Sequence, residues 1–256
     1  MDLELVGKKA IVTGGSRGIG KQIARVLAQE GVDVAIAARD PERLAATAAE
    51  IVTETGRTIV PVTVDTSDDE SVKIMVETAA HALGGVDILI NGAATVGGIA
   101  APPKLAEVTA DAFWADMNVK VMGYLRCAQA VAPYMIEKGW GRIVNLSGMA
   151  ARQSGNTIGS MRNISVAALT KNLADELGEH GINVTVVHPG GTRTERTTPE
   201  AEINLAKNNT VKRAIDALDI ANVVAFLASP KSVAITGDTI AAGGGVSLAI
   251  HYLHRY

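Results

Sequence analysis

Short apolar strands alternate with longer helical patterns along the chain, and this alternation constrains the fold more than any other feature. The strand candidates are rich in valine, isoleucine and threonine, which favour extended, buried backbone. They lie at 9–13, 33–38, 58–65, 87–91, 142–147, 183–188 and 238–242. Apolar strands separated by helices indicate a parallel sheet covered on both faces. We therefore expect an α/β, doubly wound fold: a seven-stranded parallel sheet with helices on both faces.

Helical patterns fill the intervals between these strands. The clearest ones cover 20–30, 71–83 and 166–177, and the last shows the 3.6-residue apolar period of an amphipathic helix. No internal repeat or linker divides the sequence, so we expect a single domain over 1–256. The polar stretch 192–212 breaks the alternation, and we predict that it is an insertion that serves as a substrate lid.

Composition narrows the possible partners and location. Apolar residues make up 47% of 256, which predicts a packed globule, and a net charge of −3 gives no electrostatic footprint for nucleic acid. No apolar run reaches the roughly 20 residues that span a membrane, and the first residues lack the apolar core of a signal peptide. The single cysteine, Cys127, allows no internal disulfide and is read as a small buried residue. We expect a cytoplasmic protein that acts on a small molecule.

A glycine-rich turn follows the first strand, in the segment TGGSRGIGKQIARVLA at 13–28. Gly14 permits a tight turn, Gly18 lets the backbone approach a phosphate, and Gly20 allows the helix to pack closely on the strand. The helix N-terminus then offers free N–H groups and a partial positive charge. This strand–turn–helix context predicts dinucleotide binding, and the alternative is that the glycines serve only the turn.

Several further motifs stand in order after this loop. They are NGAA at 91–94, MNVKVMG with Asn118, GRIVNLSG with Ser147, HPGGTRT at 188–194, and ITGDTIAAGGG at 235–245. Together with the TGxxxGxG spacing, this series resembles the short-chain dehydrogenase/reductase family over nearly the whole chain. The resemblance implies a Rossmann-type dinucleotide-binding domain and an oxidoreductase. It also implies a homotetramer or homodimer assembled through helices near 107–137 and 157–178.

The resemblance also implies roles for individual residues. The catalytic serine and asparagine would be Ser147 and Asn118, although the first also fits a strand-end cap and the second a purely structural amide. The cofactor-binding residues would be Gly14, Ser16, Arg17, Gly18, Ile19, Gly20, Arg39, Asp65, Asn91, Gly92, Ala93, Asn163, Pro189, Gly190, Thr192 and Thr194. No metal is implied. A strand-end cap remains an alternative role for Asn91.

The end of the second strand, AIAARD, bears on the choice of nicotinamide cofactor. NAD-selective proteins usually place an acid at this strand tip, where this sequence has Ala38 and then Arg39. Arg17 in the glycine loop provides a second guanidinium, and two such groups can grip a 2′-phosphate. We therefore favour NADP(H), with NAD(H) kept possible by Asp40. Either arginine also fits a solvated loop charge.

The tyrosine and lysine that the family places one helical turn apart are missing here. By alignment of the helix 166–177, their positions fall on Gly159 and Asn163. Tyr134 and Lys138 have the same spacing, but they precede the strand that bears Ser147. They are therefore predicted to lie at the opposite edge of the sheet, away from a ligand.

Three side chains are near enough in sequence to be candidates for replacing the phenol of the family's tyrosine. Arg152, Arg162 and His188 are near in sequence, although Arg162 is expected to point elsewhere and His188 to be a polar strand-end residue. The tail IHYLHRY carries His251, Tyr252, His254 and Tyr256, which fit an interface better than a metal site. The leading hypothesis is a divergent NADP(H)-dependent oxidoreductase acting on an unknown carbonyl, enone or alcohol. A non-catalytic NADP(H)-binding protein and a non-redox lyase or isomerase remain alternatives.

Overall fold

The computed structural model describes residues 1–94, 103–154 and 156–245. Its strands are β1 (Lys9–Thr13), β2 (Asp33–Ala38), β3 (Ile59–Thr63), β4 (Ile88–Asn91), β5 (Gly141–Leu146), β6 (Ile182–Pro189), β7 (Thr192–Arg193), β8 (Ile215–Asp216) and β9 (Thr239–Ala242). Its helices are α1 (Gly18–Gln29), α2 (Pro41–Thr55), α3 (Asp69–Leu83), α4 (Ala110–Met117), α5 (Gly123–Lys138), α6 (Thr157–Leu177), α7 (Pro199–Asn208) and α8 (Ala217–Leu227).

Seven of the strands form one parallel sheet in the order β3-β2-β1-β4-β5-β6-β9. This confirms the predicted doubly wound α/β fold with seven parallel strands. The strand order reverses between β1 and β4, and in such sheets ligands bind beside the reversal at the carboxyl ends of the strands. The remaining two strands, β7 and β8, form a separate short pair.

The two faces of the sheet are covered by different helices. Val12 and its neighbours on one face pack with apolar side chains of α1, α2 and α8. Ile11 and its neighbours on the other face pack with those of α3, α5 and α6. Cys127 is fully buried in this second layer, which confirms its predicted role as a small core residue.

The largest difference from the predicted elements concerns α6. The apolar period predicts a helix over 166–177, whereas α6 begins nine residues earlier at Thr157. Asn156 precedes it, and its side-chain oxygen accepts a hydrogen bond from the Gly159 N–H at 2.8 Å, which is the contact of an N-cap. The polar residues of the first turns carry no apolar period, so the sequence pattern missed them.

Within the described ranges, no helix is both long and apolar enough to cross a membrane. The polar stretch 192–212 contains β7 and α7. The aromatic and histidine tail His251, Tyr252, His254 and Tyr256 lies outside the described residues.

Candidate active site

The β1–α1 turn is built from glycines that no other residue can replace without displacement of the backbone. Gly14 has a positive φ of 72°, and a Cβ on it would lie 2.7 Å from the Gly92 carbonyl oxygen. A Cβ on Gly20 would lie 2.2 Å from the Gly14 carbonyl oxygen. The loop therefore packs against the end of β4 and against its own helix at contact distance.

Gly18 differs from these two glycines because a Cβ on it would meet no backbone atom within 4 Å. Only the methyl carbon of Thr194 lies within 4 Å of a Cβ built on Gly18, at 3.7 Å. The Gly18 N–H donates to the Glu195 carboxylate, at 3.1 Å to Oε1 and 3.2 Å to Oε2. Arg17 gives α1 no side-chain cap. An anion thus already lies on this helix N-terminus, as the dipole of α1 favours.

Two arginines lie at the adenosine side of this loop. Arg17 is partly buried and Arg39 is exposed, and within residues 1–94, 103–154 and 156–245 neither forms an ion pair. Asp40, the acid that kept NAD(H) open, accepts a hydrogen bond from the Arg43 N–H at 3.0 Å and caps α2. The loop is tied to α2 by Thr47, whose hydroxyl donates to the Ser16 carbonyl at 3.0 Å. Ile19 packs against the core.

Asp65 and the residues after β4 also lie at this carboxyl edge. The Asp65 carboxylate accepts hydrogen bonds from the Ser67 hydroxyl and N–H, which hold the pKa of this carboxyl below its usual value. The N–H groups of Gly92 and Ala93 donate to the Thr13 hydroxyl at 3.0 and 3.3 Å. These bonds fix the ends of β1 and β4 together.

The Asn91 side chain is buried within the protein at the end of β4. It is fully buried, and its amide donates to Asn145 Oδ1 at 3.0 Å and to the Tyr124 carbonyl at 3.4 Å. The amide nitrogen thus finds partners on β5 and α5, whereas its Oδ1 has none among the residues that the structure describes. These contacts favour the structural role left open for Asn91.

The end of β6 also lies at the carboxyl edge of the sheet, beside the candidate site. A Cβ on Gly190 would lie 2.8 Å from the Gly243 Cα, and the Gly190 N–H donates to the Ala242 carbonyl at 3.3 Å. Pro189 precedes it as the last residue of β6. The Thr192 hydroxyl donates to the Gly190 carbonyl at 2.9 Å, and Thr194 lies beside Gly18. The segment after β6 therefore reaches the glycine loop.

Ser147 and Asn163 are brought together beside these segments. Ser147 follows β5, and its hydroxyl donates to the Asn163 carbonyl at 2.8 Å. Gly148 allows this approach, since a Cβ on it would lie 3.1 Å from Asn163 Nδ2. Asn163 is only 3% exposed. The predicted serine and the vacated lysine position thus share one cluster.

A residue that the sequence did not single out completes the cluster. The Lys120 ammonium donates to Asn163 Oδ1 and to the Ser147 carbonyl, both at 3.0 Å. Lys120 is 4% exposed, and burial, followed by the nearby charge of Arg162, lowers its pKa to about 7. The sequence feature that could have pointed to Lys120 is its place as a single lysine between Val119 and Val121 in an apolar stretch.

Asn118 forms its hydrogen bonds outside this cluster. Its amide donates to the Ser67 carbonyl at 3.2 Å, and its Oδ1 accepts from the Arg126 guanidinium at 2.9 Å. A π-helical segment, Asn118–Met122, joins α4 to α5. Residues two apart on a helical segment do not share a face, so Lys120 reaches α6 while Asn118 reaches the loop after β3.

His188 is buried at the end of β6. It is 1% exposed, and neither ring nitrogen has a hydrogen-bond partner among the residues that the structure describes. Burial, with the charges of Arg152 and Lys120 as further causes, lowers its pKa to about 4. The imidazole is therefore neutral at neutral pH, and its place inside the protein differs from the predicted solvent- or backbone-facing residue.

The remaining candidates for the missing pair lie elsewhere. Nη1 of Arg162 donates to both carboxylate oxygens of Asp116 at 2.8 Å, so this guanidinium is directed to α4, as expected of a side chain that points elsewhere. Lys138 pairs with Asp87 at 2.6 Å, directly before β4 and thus at the amino edge of the sheet. The Tyr124 hydroxyl donates to the Leu146 carbonyl at 2.9 Å, and burial raises the pKa of this phenol.

No group of three or more histidine, cysteine, aspartate or glutamate side chains in the described part of the chain is arranged to hold a metal ion. The site therefore consists of an anion-binding glycine turn, a pair of arginines, and a polar cluster of serine, asparagine and lysine. All of them lie at the carboxyl edge of one sheet.

Comparison with known proteins agrees with this geometry. The sequence profile described as enoyl-(acyl carrier protein) reductase matches residues 14–247. The chain is 38% identical over 242 residues to an uncharacterized oxidoreductase of Mycobacterium tuberculosis, covering 93% of this chain and 96% of that one.

Two solved structures are similar over almost their whole length. A short-chain dehydrogenase of Burkholderia cenocepacia in complex with NADP is 34% identical, with a TM-score of 0.83 and coverage of 94% of this chain and 98% of that one. A 7α-hydroxysteroid dehydrogenase complexed with NADH and 7-oxo glycochenodeoxycholic acid is 29% identical, with a TM-score of 0.87 and coverage of 96% of each chain. The chain therefore belongs to the short-chain dehydrogenase/reductase family.

Proposed function

We propose that this protein is an oxidoreductase that uses NADP(H) in preference to NAD(H) to interconvert a small carbonyl or enone compound and its reduced form. The observation that carries the proposal is the glycine turn whose Gly18 N–H holds a carboxylate, at the same sheet edge as Ser147 and Asn163. The Burkholderia relative binds NADP and the hydroxysteroid dehydrogenase binds NADH, which supports a nicotinamide cofactor.

The residues present fit such a cofactor. A pyrophosphate would lie on the α1 N-terminus, where the Gly18 N–H donates to the Glu195 carboxylate and would exchange it for a phosphate oxygen. Arg17 and Arg39 would hold a 2′-phosphate, and Asn163 with the Pro189–Gly190 turn would border the nicotinamide riboside. When bound, the cofactor supplies or accepts a hydride. The segment 192–212 would close over the substrate.

The chain's own residues would orient the substrate oxygen. Ser147 is held in place by its backbone N–H, which donates to the Val187 carbonyl at 2.8 Å, and by the bond from its hydroxyl to α6. A conjugated acceptor lowers the demand for a phenol, because the hydride then goes to the β-carbon and the negative charge is delocalised over an enolate instead of resting on one alkoxide oxygen. An enone substrate fits this site, because position 159, where the family has its tyrosine, is a glycine in the first turn of α6 beside the N-cap residue Asn156.

The cofactor preference is tested by binding. Arg39→Ala removes a guanidinium that would contact the 2′-phosphate, so we expect the Kd for NADPH to rise about tenfold, since a charge-assisted contact is worth about 1.5–3 kcal/mol, with little change for NADH. Arg43→Ala is the matched control, because Arg43 pairs with Asp40 on α2. Equal effects of Arg39→Ala on both cofactors would remove the case for NADP(H).

Turnover is tested with a substrate panel. Purified protein is mixed with NADPH and with ketones, enones and quinones, and the loss of NADPH absorbance is followed. We expect turnover with at least one class, and Ser147→Ala should lower it by about tenfold or more. Ser165→Ala is the control, because that hydroxyl donates only within α6, to the Met161 carbonyl.

A non-catalytic NADP(H)-binding protein is the second candidate. It is favoured by Gly159 at the tyrosine position and by the Tyr124 hydroxyl, which is committed to Leu146. Tight NADPH binding without turnover across the panel would select it. Substrate conversion without cofactor oxidation would instead indicate a lyase or isomerase.

A further inference from the structure

We propose that Lys120 is the proton donor of this site and carries, from the segment between α4 and α5, the positive charge that position 163 lacks. The inference rests on the proposed oxidoreductase function. Its starting point is geometric: the Lys120 ammonium lies 3.0 Å from Oδ1 of the residue that occupies the family's lysine position. An ammonium is therefore present in the cluster, although it comes from the segment between α4 and α5 and not from α6.

The hydrogen bonds leave Lys120 with a proton to give. An ammonium has three N–H groups, and two of them point to Asn163 Oδ1 and the Ser147 carbonyl. The Ser147 hydroxyl donates its hydrogen bond to the Asn163 carbonyl, so its O–H is not directed at a substrate oxygen in this arrangement. The third N–H of Lys120 is then the donor left for the carbonyl oxygen of a substrate.

The groups that face Lys120 come from four elements. They are Asp116 of α4, Tyr124 of α5, Arg162 of α6 and His188 of β6. Asp116 and Arg162 neutralise each other in their ion pair, and the Tyr124 proton is held by Leu146. Since His188 is neutral above about pH 4 and the pKa of Lys120 lies at about 7, Lys120 is the described group of this cluster that exchanges a proton near neutrality.

The step balances without a further reactant. In carbonyl reduction the substrate carbon gains the hydride and its electron pair from the proposed cofactor, and the π electrons of the C=O bond move to oxygen. That oxygen takes a proton from the Lys120 ammonium and becomes a hydroxyl. Lys120 is left as a neutral amine, which regains its proton from water.

The first experiment is a pH–rate profile of wild type, Lys120→Met and Lys120→Arg. The wild-type rate of carbonyl reduction should fall above about pH 7. Both variants should be slower by about 10²–10⁴-fold, since neither methionine nor arginine releases a proton in this range, and their profiles should be flat. Lys73→Met, an exposed lysine of α3, is the control and should match wild type.

An exchange variant separates a chemical role from a structural one. Lys120→Asn alone should lose activity, and Lys120→Asn with Asn163→Lys should regain about tenfold or more, because an ammonium then enters the cluster from α6. Thermal unfolding of each variant shows whether it has folded. A folded Lys120→Met protein with the wild-type rate and pH profile overturns the proposal.

A readout without turnover distinguishes the two proposals. Protein labelled at the lysine ε-carbon is titrated by NMR, and the Lys120 resonance is assigned by its loss in Lys120→Arg. A transition near pH 7 supports the inference, and a transition above about pH 9.5, close to the ordinary lysine value, overturns it whether or not turnover is found. A transition near pH 7 in a protein that turns over no substrate instead counts against the proposed function.

Discussion

Single glycines decide where the backbone of the cofactor loop can lie. Gly14 has a left-handed backbone and also packs within contact distance of Gly92, whereas Gly56 at the end of α2 has nearly the same φ, 66°, and open space around it. Substitutions at these two positions separate the free-energy cost of a positive φ from the cost of placing a Cβ against neighbouring backbone.

Gly14→Ala should therefore destabilise the protein more than Gly56→Ala. Both pay the left-handed cost, about 1–2 kcal/mol, but only the first forces a Cβ against the Gly92 carbonyl, which adds about 1–3 kcal/mol. Chemical denaturation of both variants measures the difference. Equal losses of unfolding free energy would mean that the loop moves aside without strain.

The sequence predicted some site residues and missed others for a physical reason. Gly14, Gly18, Gly20 and Ser147 are fixed by backbone geometry at strand ends, which local motifs record. Lys120 acts through a contact 43 residues away along the chain, and no local pattern specifies that its ammonium meets Asn163 rather than solvent.

At the scale of elements, the segment after β6 is held by ion pairs and contacts the N-terminus of α1. Arg193 in β7 pairs with Asp216 of β8 at 2.6 Å and with Glu202 of α7 at 3.5 Å. Two residues later, the Glu195 carboxylate lies on the Gly18 N–H. The proposed cofactor phosphates would need the same N–H.

Glu195→Gln should therefore tighten NADPH binding. The variant removes a negative charge from a helix N-terminus, worth about 0.3–1 kcal/mol at an exposed site, so the Kd should fall about two- to fivefold. Titration calorimetry measures it, with Glu200→Gln, an exposed acid in the first turn of α7, as the control. Weaker binding in Glu195→Gln would show instead that Glu195 assists the cofactor.

Element boundaries illustrate the limits of periodicity. The π-helical segment Asn118–Met122 and the first turns of α6 carry no clear apolar period, and both line the candidate site. Their shapes depend on packing between helices, which is why the motif singled out Asn118 and gave no role to Lys120.

At the scale of the whole molecule, the seven-stranded sheet followed from the alternation of strands and helices. Two layers of apolar side chains cover it, and His188 is buried at the carboxyl end of β6 with a lowered pKa. Between its ordinary value of 6.5 and about 4, the unfolded chain binds more protons than the folded one. The free energy of unfolding therefore falls as the pH falls through this window.

His188→Gln should flatten this part of the stability profile. At about 1.4 kcal/mol per pKa unit, His188 accounts for a loss on the order of 3 kcal/mol by pH 4. Denaturation at several pH values compares the variant with wild type and with His81→Gln, an exposed histidine at the end of α3. The same slope in all three proteins would show that His188 is not the cause.

The contact between Glu195 and Gly18 has a kinetic consequence. If the phosphates of the dinucleotide displace that carboxylate when they bind, the segment after β6 is released only once the coenzyme has bound. Binding would then be ordered, with the dinucleotide first and the organic substrate second. Dissociation of the coenzyme product would limit the rate of turnover.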